Sequence, residues 1–262
     1  MDGLLTIATD AAREAGLLLL ERFGSAHEGV TTKSTATDMV SDADRAAEDL
    51  IVARIRSARP DDAFLGEETG LTEGGSGIRW VIDPLDGTTN FLYRIPHWGV
   101  SIAAEDEQGV VAAAIYDAVR DEMFAAARGE GATRNGQPIH VSTADDLRRA
   151  LILTGFAYRP EERLAEARIL PAILPNVRDV RRAGSATLDF AWVACGRADG
   201  YFESPTEWWD VAAGTLIVQE AGGRVASLPP LGRPEGSGWV TAGPGIFDDL
   251  LALVERAIET AG

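Results

Sequence analysis

Hydrophobic positions in the first sixty residues recur at the spacing of two amphipathic helices. Apolar residues return every three or four positions over residues 4–23, and Gly24 then provides a stop, which predicts a first helix there. Ser41 and Asp44 have the three-residue spacing of a capping box, and an apolar stripe continues from them until Pro60. A second helix is therefore predicted between this capping box and the proline.

From Ile78 onward, short apolar runs separated by turn residues replace the helical spacing. The runs in the first half predict a meander of antiparallel strands, at residues 80–82, 98–104, 110–116 and 123–127. The second half alternates between strand and helix patterns. Its strands are predicted at residues 150–154, 178–182, 200–203, 223–228 and 238–242. Its helices are predicted at residues 161–170, 185–197, 211–221 and 245–259.

This order of elements predicts a fold of mixed α+β and α/β class. An α/β lobe is expected to pack on a lobe of helices and antiparallel sheet, because each sheet must cover its apolar face. The predicted lobes are residues 1–140, with the helix pair and the meander, and residues 141–262. No linker, low-complexity stretch or internal repeat separates them, so the two lobes are expected to form one compact unit.

Net charge narrows the functional classes. The 262 residues contain 24 Lys and Arg against 41 Asp and Glu, a formal charge of −17. Such an acidic surface repels phosphate backbones and anionic lipid, which argues against general nucleic-acid or membrane binding. A small anionic substrate would need a local cation, and clustered carboxylates can bind one.

The sequence also predicts where the protein is located and whether its single thiol is reactive. The longest apolar run, near residues 17–20, is too short to cross a bilayer, and the N-terminus lacks a signal-peptide pattern, so a cytoplasmic location is expected. Cys195 cannot form an internal disulfide. Its apolar neighbours predict a buried, inert thiol.

Residues 80–91 carry the most informative chemistry. Asp83 follows a predicted buried strand, Pro84 fixes the backbone, and Gly87 allows close approach of the chain, so the carboxylates of Asp83 and Asp86 can converge. Oxygen donors without nearby His or Cys favour Mg²⁺ over zinc, and several carboxylates favour more than one ion. The alternative is that Asp-Pro and Asp-Gly only form a tight turn.

Two further acidic segments accompany this one. Glu67 and Glu68 follow a short apolar run, and Asp210 stands at a predicted helix start. Taken alone, the first pair is typical of a solvated loop and Asp210 of a helix N-cap. In this order, the three segments resemble the metal-binding motifs of the inositol monophosphatase family, within the lithium-sensitive phosphatase superfamily. The resemblance extends through residues 90–103, 131–139, 184–186 and 198–202, and therefore covers most of the chain.

The resemblance implies a fold and a ligand set. The fold is the layered α-β-α-β-α sandwich of inositol monophosphatases and fructose-1,6-bisphosphatases. Glu67, Asp83 and the main-chain carbonyl of Leu85 would hold one Mg²⁺, and Asp83, Asp86 and Asp210 a second, with two or three ions per site. Most of these ligands fall in the predicted lobe 1–140. Paired cations neutralise a phosphate and activate a water as the nucleophile, so no nucleophilic side chain is required.

The catalytic residues also follow from the resemblance. Thr88 and Asp44 match the pair that orients and deprotonates the attacking water, although an acid in the first turn also suits the helix dipole. Glu68 and Lys33 match positions close to the metals. The alternative for either residue is an ordinary surface charge. The backbone N–H groups of Gly87 and Thr88 are expected to receive phosphate oxygens.

Substrate contacts are predicted at Ser185, Ala186, Glu203 and Asp210, which match positions facing sugar or cyclitol hydroxyls. A carboxylate accepts hydroxyl protons, so a phosphorylated polyol is the expected substrate. A helix cap for Ser185 and an exposed strand end for Glu203 are the simpler readings. Residues 89–91 resemble the inositol phosphatase branch, which favours inositol 1-phosphate, while histidinol phosphate and fructose 1,6-bisphosphate stay open because they share the metal motifs.

Two other functional classes stay open. One is a non-catalytic regulatory interaction protein that keeps the fold and docks on nucleic-acid machinery; the complete acidic set argues against lost catalysis. The other is a calcium-binding module, in which Thr88 and Asp44 would have no purpose. A homodimer is expected from the resemblance and from the apolar stretch 98–116, which is predicted to exceed what one core can hide.

Overall fold

The computed structural model describes residues 2–24, 31–32, 39–40, 42–232 and 236–261. Lys33 and Ser41, to which the sequence assigned roles, lie outside these residues. Within the described ranges, the helices are α1 (Asp2–Arg22), α2 (Asp42–Ala58), α3 (Thr88–Leu92), α4 (Pro160–Ile173), α5 (Ala186–Ala194), α6 (Trp208–Glu220) and α7 (Phe247–Ala261). None of these helices combines the length and apolar character needed to cross a bilayer.

The strands of the described residues fall into two large sheets and one small pair. They are β1 (Thr31–Thr32), β2 (Met39–Val40), β3 (Ala63–Gly66), β4 (Gly70–Thr72), β5 (Arg79–Asp86), β6 (Gly99–Asp106), β7 (Gly109–Asp117), β8 (Glu122–Ala127), β9 (Ala132–Arg134), β10 (Gln137–Pro138), β11 (Leu151–Thr154), β12 (Asp179–Arg181), β13 (Gly200–Thr206), β14 (Arg224–Leu228) and β15 (Ser237–Ala242). The two-residue strands β1 and β2 pair with each other.

The first large sheet has the strand order β10-β9-β8-β7-β6-β5-β3-β4. Strands β5 to β10 form an antiparallel meander, as the alternating apolar runs predict. Strand β3 instead runs parallel to β5, with Gly66 opposite Ile82. Because parallel strands end at the same edge of a sheet, the residues that follow this pair emerge side by side.

The second large sheet has the order β12-β11-β13-β15-β14. Strand β11 runs parallel to both β12 and β13, while β15 runs antiparallel to β13 and β14. The helices between its strands cover its faces, as the alternation of elements in the second half predicts.

Three apolar cores hold five layers together, and the central core contacts both sheets. Helices α1 and α2 cover one face of the first sheet, and Gly16 lets α1 approach closely, since a Cβ there would overlap the ring of Tyr116. Helices α5 and α6 lie between the sheets, in a core that joins Val81 of β5 with Leu188 of α5 and Tyr201 of β13. Helices α4 and α7 cover the outer face of the second sheet. This arrangement is the α-β-α-β-α sandwich that the resemblance implied, and the fold class is confirmed.

Three structural expectations need correction. Strand β5 does not stop at Ile82 but continues to Asp86, with a register shift between Asp83 and Asp86. Helix α6 begins at Trp208, so Asp210 is its third residue and not its N-cap. The apolar side chains of the stretch 98–116 are covered within the single chain, because α1 packs on one face of the sheet and α6 on the other. This stretch therefore presents no surplus apolar surface, and the homodimer stays a prediction without that support.

Candidate active site

The parallel pair of β3 and β5 brings the first two predicted ligands together. Gly66 and Ile82 are opposite each other in the pair, so the next residues, Glu67 and Asp83, leave the sheet edge side by side. Burial raises the pKa of Asp83, and the Glu67 carboxyl group lies close enough for its charge to raise this pKa further. The main-chain N–H of Leu85 donates to Oδ1 of Asp83 at 3.0 Å, which orients this carboxyl group.

The register shift at the end of β5 turns Asp86 towards the second sheet. Its Oδ2 accepts hydrogen bonds from the Ser185 hydroxyl and from the N–H of Thr187, both at 2.7 Å. Ser185 is the N-cap of α5, since its hydroxyl also accepts from the N–H of Leu188. Asp86 therefore links the metal-ligand segment to the start of α5.

Asp210 is positioned by the first turn of α6. The N–H of Glu207 donates to its Oδ2 at 2.8 Å, which fixes the side chain across the helix start. The hydroxyl of Thr187 donates to the main-chain carbonyl of Asp210 at 3.2 Å. Thr187 thus contacts both Asp86 and Asp210, and it couples α5 to α6.

These side chains surround one cavity of about 430 Å³ between the two sheets. All predicted site residues line it except Asp44 and Glu68. The predicted residues that line it are Glu67, Asp83, Leu85, Asp86, Gly87, Thr88, Ser185, Ala186, Glu203 and Asp210. Gly87 has a left-handed backbone with φ of 96°, and a Cβ there would press on the carbonyls of His97 and Gly184, so the close approach inferred from the sequence is present.

The electrostatics of the cavity suit a bound cation. Burial, and then the negative charges of its acidic neighbours, raise the pKa of Asp83 well above its usual value. Burial followed by the charges of Asp86 and Glu67 does the same to the pKa of Asp210. The pKa of Asp86 is also raised by burial, against the opposing effect of its hydrogen bonds. A divalent cation would offset the repulsion among these carboxylates.

The donor set fits Mg²⁺ by its chemistry. Carboxylates and the Leu85 carbonyl are hard oxygen donors, which Mg²⁺ prefers. Among the described residues, no three His, Cys, Asp or Glu side chains stand at coordination distance from a common point. The fit therefore rests on the type and location of the donors rather than on a preformed coordination sphere.

Asp44 and Thr88 meet although 44 residues separate them. The Thr88 hydroxyl lies 3.0 Å from Oδ1 of Asp44 and 3.1 Å from the carbonyl oxygen of Leu85. Asp44 is 1% exposed and Thr88 7% exposed. Asp44 thus contacts the cavity through Thr88 without lining it. Its carboxyl group therefore has a contact beyond its favourable interaction with the dipole of its own helix.

Sequence reasoning missed Glu48, which organises the Glu67 turn. Its carboxylate is fully buried and accepts the N–H groups of Glu68 and Thr69, both at 2.9 Å, as well as the Thr69 hydroxyl. Gly66 makes room for it, since a Cβ there would overlap the carboxylate. The available signal was an acid four residues after Asp44, on the buried face of the same helix.

The predicted substrate contacts line the same cavity as the metal ligands, and Ser185 hydrogen-bonds to one of these ligands, Asp86. Glu203 lines the cavity rather than ending an exposed strand, and its Oε2 accepts from the Tyr201 hydroxyl at 2.8 Å. Burial raises the pKa of Glu203 to about 7. Ala186 lines the cavity at the start of α5, and Ser185 serves Asp86 and the helix cap at once.

Two further residues of the cavity lining stand outside every sequence motif. Tyr158 and Arg182 line the cavity. Tyr158 is 41% exposed as a whole, but loss of water around its hydroxyl, and then the charge of Asp86, raise its pKa above the ordinary range. Arg182 lies two residues before the segment 184–186 that resembles the family, whereas nothing in the sequence around Tyr158 marks it.

Cys195 stands apart from the cavity. It ends α5 and is partly exposed rather than buried, because the helix terminates there. Its Sγ lies 3.6 Å from the carbonyl of Trp192, and burial raises the pKa of the thiol. The expected full burial is therefore wrong, and the inertness of the thiol stays a prediction.

Comparisons with known proteins agree with this geometry. The family model described as the inositol monophosphatase family matches residues 1–258. A Xylella fastidiosa protein named Nus factor SuhB is 44% identical over 231 residues, which cover 88% of this chain and 84% of that protein. The crystal structure of extragenic suppressor protein suhB from Bartonella henselae has 37% sequence identity and a TM-score of 0.89, and the match covers 98% of each chain. The inositol monophosphatase structure from Anabaena has 37% identity and a TM-score of 0.81, over 99% of this chain and 96% of that one. The chain therefore belongs to the inositol monophosphatase family.

Proposed function

We propose that the protein is a Mg²⁺-dependent phosphatase that hydrolyses a small phosphate monoester. The observation that carries this proposal is the convergence of Glu67, Asp83, Asp86 and Asp210 on one cavity. The Thr88–Asp44 pair at its edge adds a group that can take up a proton. Two or three ions held by these carboxylates and the Leu85 carbonyl would neutralise the phosphate and acidify a water.

The protein's own groups have distinct parts in this reaction. The Thr88 hydroxyl donates to Asp44, which leaves the oxygen of Thr88 able to accept a proton from the attacking water. Asp44 is buried and receives the proton that Thr88 passes on. Glu68 lies next to Glu67 but outside the cavity lining, so we assign it to the orientation of that turn.

We propose a phosphorylated polyol as the substrate, with inositol 1-phosphate first. Besides the metal ligands, the cavity lining contains Glu203 as an acceptor, and Tyr158 and Arg182 as donors, which suits neighbouring hydroxyl groups. Histidinol phosphate and fructose 1,6-bisphosphate are the alternatives, since the metal chemistry treats all three alike.

The test is phosphate release from a panel of substrates with Mg²⁺, with excess chelator and after metal is added back. We expect hydrolysis only with Mg²⁺, inhibition by Li⁺, and the highest kcat/KM for inositol 1-phosphate. Undiminished hydrolysis in chelator would refute the metal assignment. A clear preference for histidinol phosphate or fructose 1,6-bisphosphate would change the substrate and leave the phosphatase standing.

A second candidate function is regulatory. It is favoured by the relatives named Nus factor SuhB, which are up to 44% identical to this chain, and it is compatible with an intact active site. The Asp83→Asn variant separates the two functions, because a regulatory role would persist in a well-folded chain that no longer hydrolyses phosphate. The cytoplasmic location and the homodimer stay predictions.

A further inference from the structure

Glu166 is a carboxyl group where the pattern of α4 calls for an apolar residue. It lies on the buried face of the helix, next to Ile169 and Ile173, and is 4% exposed. Its Oε2 accepts the N–H of Ala157 at 2.8 Å. Its Oε1 is buried and has no hydrogen-bond partner among the described residues. A buried carboxyl oxygen of this kind is costly unless it carries a proton that it can donate.

Glu166 lies close to the active-site residue Glu203. A second, small cavity of about 10 Å³ is lined by both Glu166 and Glu203, and this volume is about that required by one water. Gly155 also lines it, and a Cβ at Gly155 would overlap the Glu203 carboxylate. Glu203 therefore rests against the same short loop, residues 155–158, that Glu166 holds through Ala157.

The charges around Glu166 favour its neutral form. Burial, and then the charge of Glu203 on β13, raise the pKa of Glu166 to about 8. Glu162 on the same helix adds to this effect, and Arg182, which follows β12, opposes it. Strand β14 and helix α7 contribute apolar side chains to the small cavity. Since burial raises the pKa of Glu203 as well, the two neighbouring carboxyl groups share a proton near neutral pH.

We propose that Glu166 is a positioning residue, which holds residues 155–158 and Glu203 in the arrangement that selects the non-phosphate part of the substrate. This inference rests on the proposed phosphatase function and on the role of Glu203 in it. As a neutral acid, Glu166 accepts from Ala157 through one oxygen and donates towards Glu203 through one water with the other. Once ionised, it places a second negative charge beside Glu203 and loses that donor.

The experiment compares wild type with Glu166→Gln, Glu166→Ala and the control Glu161→Gln, which removes an exposed charge from the same helix. The measured quantity is the kcat/KM for the preferred polyol phosphate divided by that for p-nitrophenyl phosphate, from pH 6 to pH 9. Selectivity of the wild type is expected to fall above about pH 8. Glu166→Gln, a neutral isostere, is expected to keep the neutral-pH selectivity and to lose this alkaline fall. Glu166→Ala is expected to lower the selectivity about tenfold at every pH, as loss of its hydrogen bonds implies, and Glu161→Gln to match wild type.

Amide exchange gives a readout that does not depend on activity. The Ala157 amide is expected to exchange faster in Glu166→Ala and to stay protected in Glu166→Gln. If wild type hydrolyses neither substrate, the phosphatase proposal fails. If wild type is active and both Glu166 variants keep its selectivity and its pH profile, the positioning role of Glu166 is overturned while the phosphatase stands. Equal loss on both substrates in well-folded Glu166→Gln would also overturn it, because that result indicates a purely structural role.

Discussion

At the scale of single residues, the three aspartates among the proposed metal ligands are each oriented by a neutral donor of the protein. Asp83 receives the N–H of Leu85, and Asp210 that of Glu207. Asp86 receives a hydroxyl and an N–H at the start of α5. These donors fix the rotamers without adding positive charge, so the site stays negative and attractive to a divalent ion.

Replacing Asp83 by Asn tests the central ligand, because the change keeps the shape of the side chain and removes its charge. We expect kcat to fall by at least about a hundredfold, as for the loss of one electrostatic stabiliser of the transition state. The measurement is steady-state hydrolysis with saturating Mg²⁺, with circular dichroism as the check of folding. Cys195→Ala is the matched control and is expected to keep full turnover. A well-folded Asp83→Asn variant with near-normal turnover would contradict the assignment.

Glu203→Gln tests the residue proposed to accept hydrogen bonds from the substrate hydroxyls. The variant should lower kcat/KM for inositol 1-phosphate about tenfold or more, because a hydrogen bond to a charged group contributes about 1.5 to 3 kcal/mol. Hydrolysis of p-nitrophenyl phosphate should change much less, since that substrate has no hydroxyls to bind. Equal losses on both substrates would remove Glu203 from substrate selection.

Sequence patterns identified the residues of the cavity better than the residues that hold them. Asp83, Asp86 and Asp210 stand in short motifs with turn or helix-start residues beside them. Glu48 and Thr187 act through contacts with segments about 20 and 100 residues away. Such partners depend on how distant elements pack, which a local pattern does not encode.

At the scale of elements, α2 joins two parts of the site by presenting Asp44 and Glu48 one turn apart. Asp44 reaches Thr88 after β5, and Glu48 reaches the turn after β3. The long amphipathic helices and the meander were predictable because their periodicity persists over many residues. Strands β3 and β4 were not, since each is at most four residues long, and β3 also pairs with the more distant β5.

Glu48→Ala tests the contribution of α2 to the ligand turn. Three donors lose their acceptor in this variant, so we expect a loss of about 2 to 3 kcal/mol in the free energy of unfolding. The Mg²⁺ concentration for half-maximal activity should rise as well, because the turn that carries Glu67 is less well fixed. Asp49→Ala changes the exposed neighbour on the same helix and is the control. Unchanged stability and Mg²⁺ dependence in Glu48→Ala would contradict this role.

At the scale of the whole molecule, the site and the central core depend on the same elements. Helices α5 and α6 lie between the sheets and belong to the core that both sheets share, and their first turns carry Ser185 and Asp210. The division into lobes 1–140 and 141–262 stays a prediction, and we propose that the two lobes unfold together.

Urea unfolding tests this cooperativity. Tryptophans lie in the helix-pair core, as Trp80 and Trp98 do, and against the central core, as Trp192 and Trp209 do. Their fluorescence and the far-ultraviolet circular dichroism should follow one coincident transition. Mg²⁺ should move the midpoint to higher urea, since a ligand of the native state stabilises it. Separate transitions would contradict a shared core, and an unchanged midpoint at high Mg²⁺ would argue against a native-state metal site.

The cavity also has a consequence for how new specificities arise by recombination. Glu67, Asp83 and Asp86 come from the chain before residue 90, whereas Tyr158, Glu203 and the other lining residues proposed to select the substrate come from the chain after residue 150. A crossover between two relatives within residues 130–150 would take most of the metal ligands from one parent and the residues proposed to select the substrate from the other. Such a crossover takes Asp210 from the parent that supplies the substrate-selecting residues. An active chimera therefore requires that this parent also carry an acid at that position.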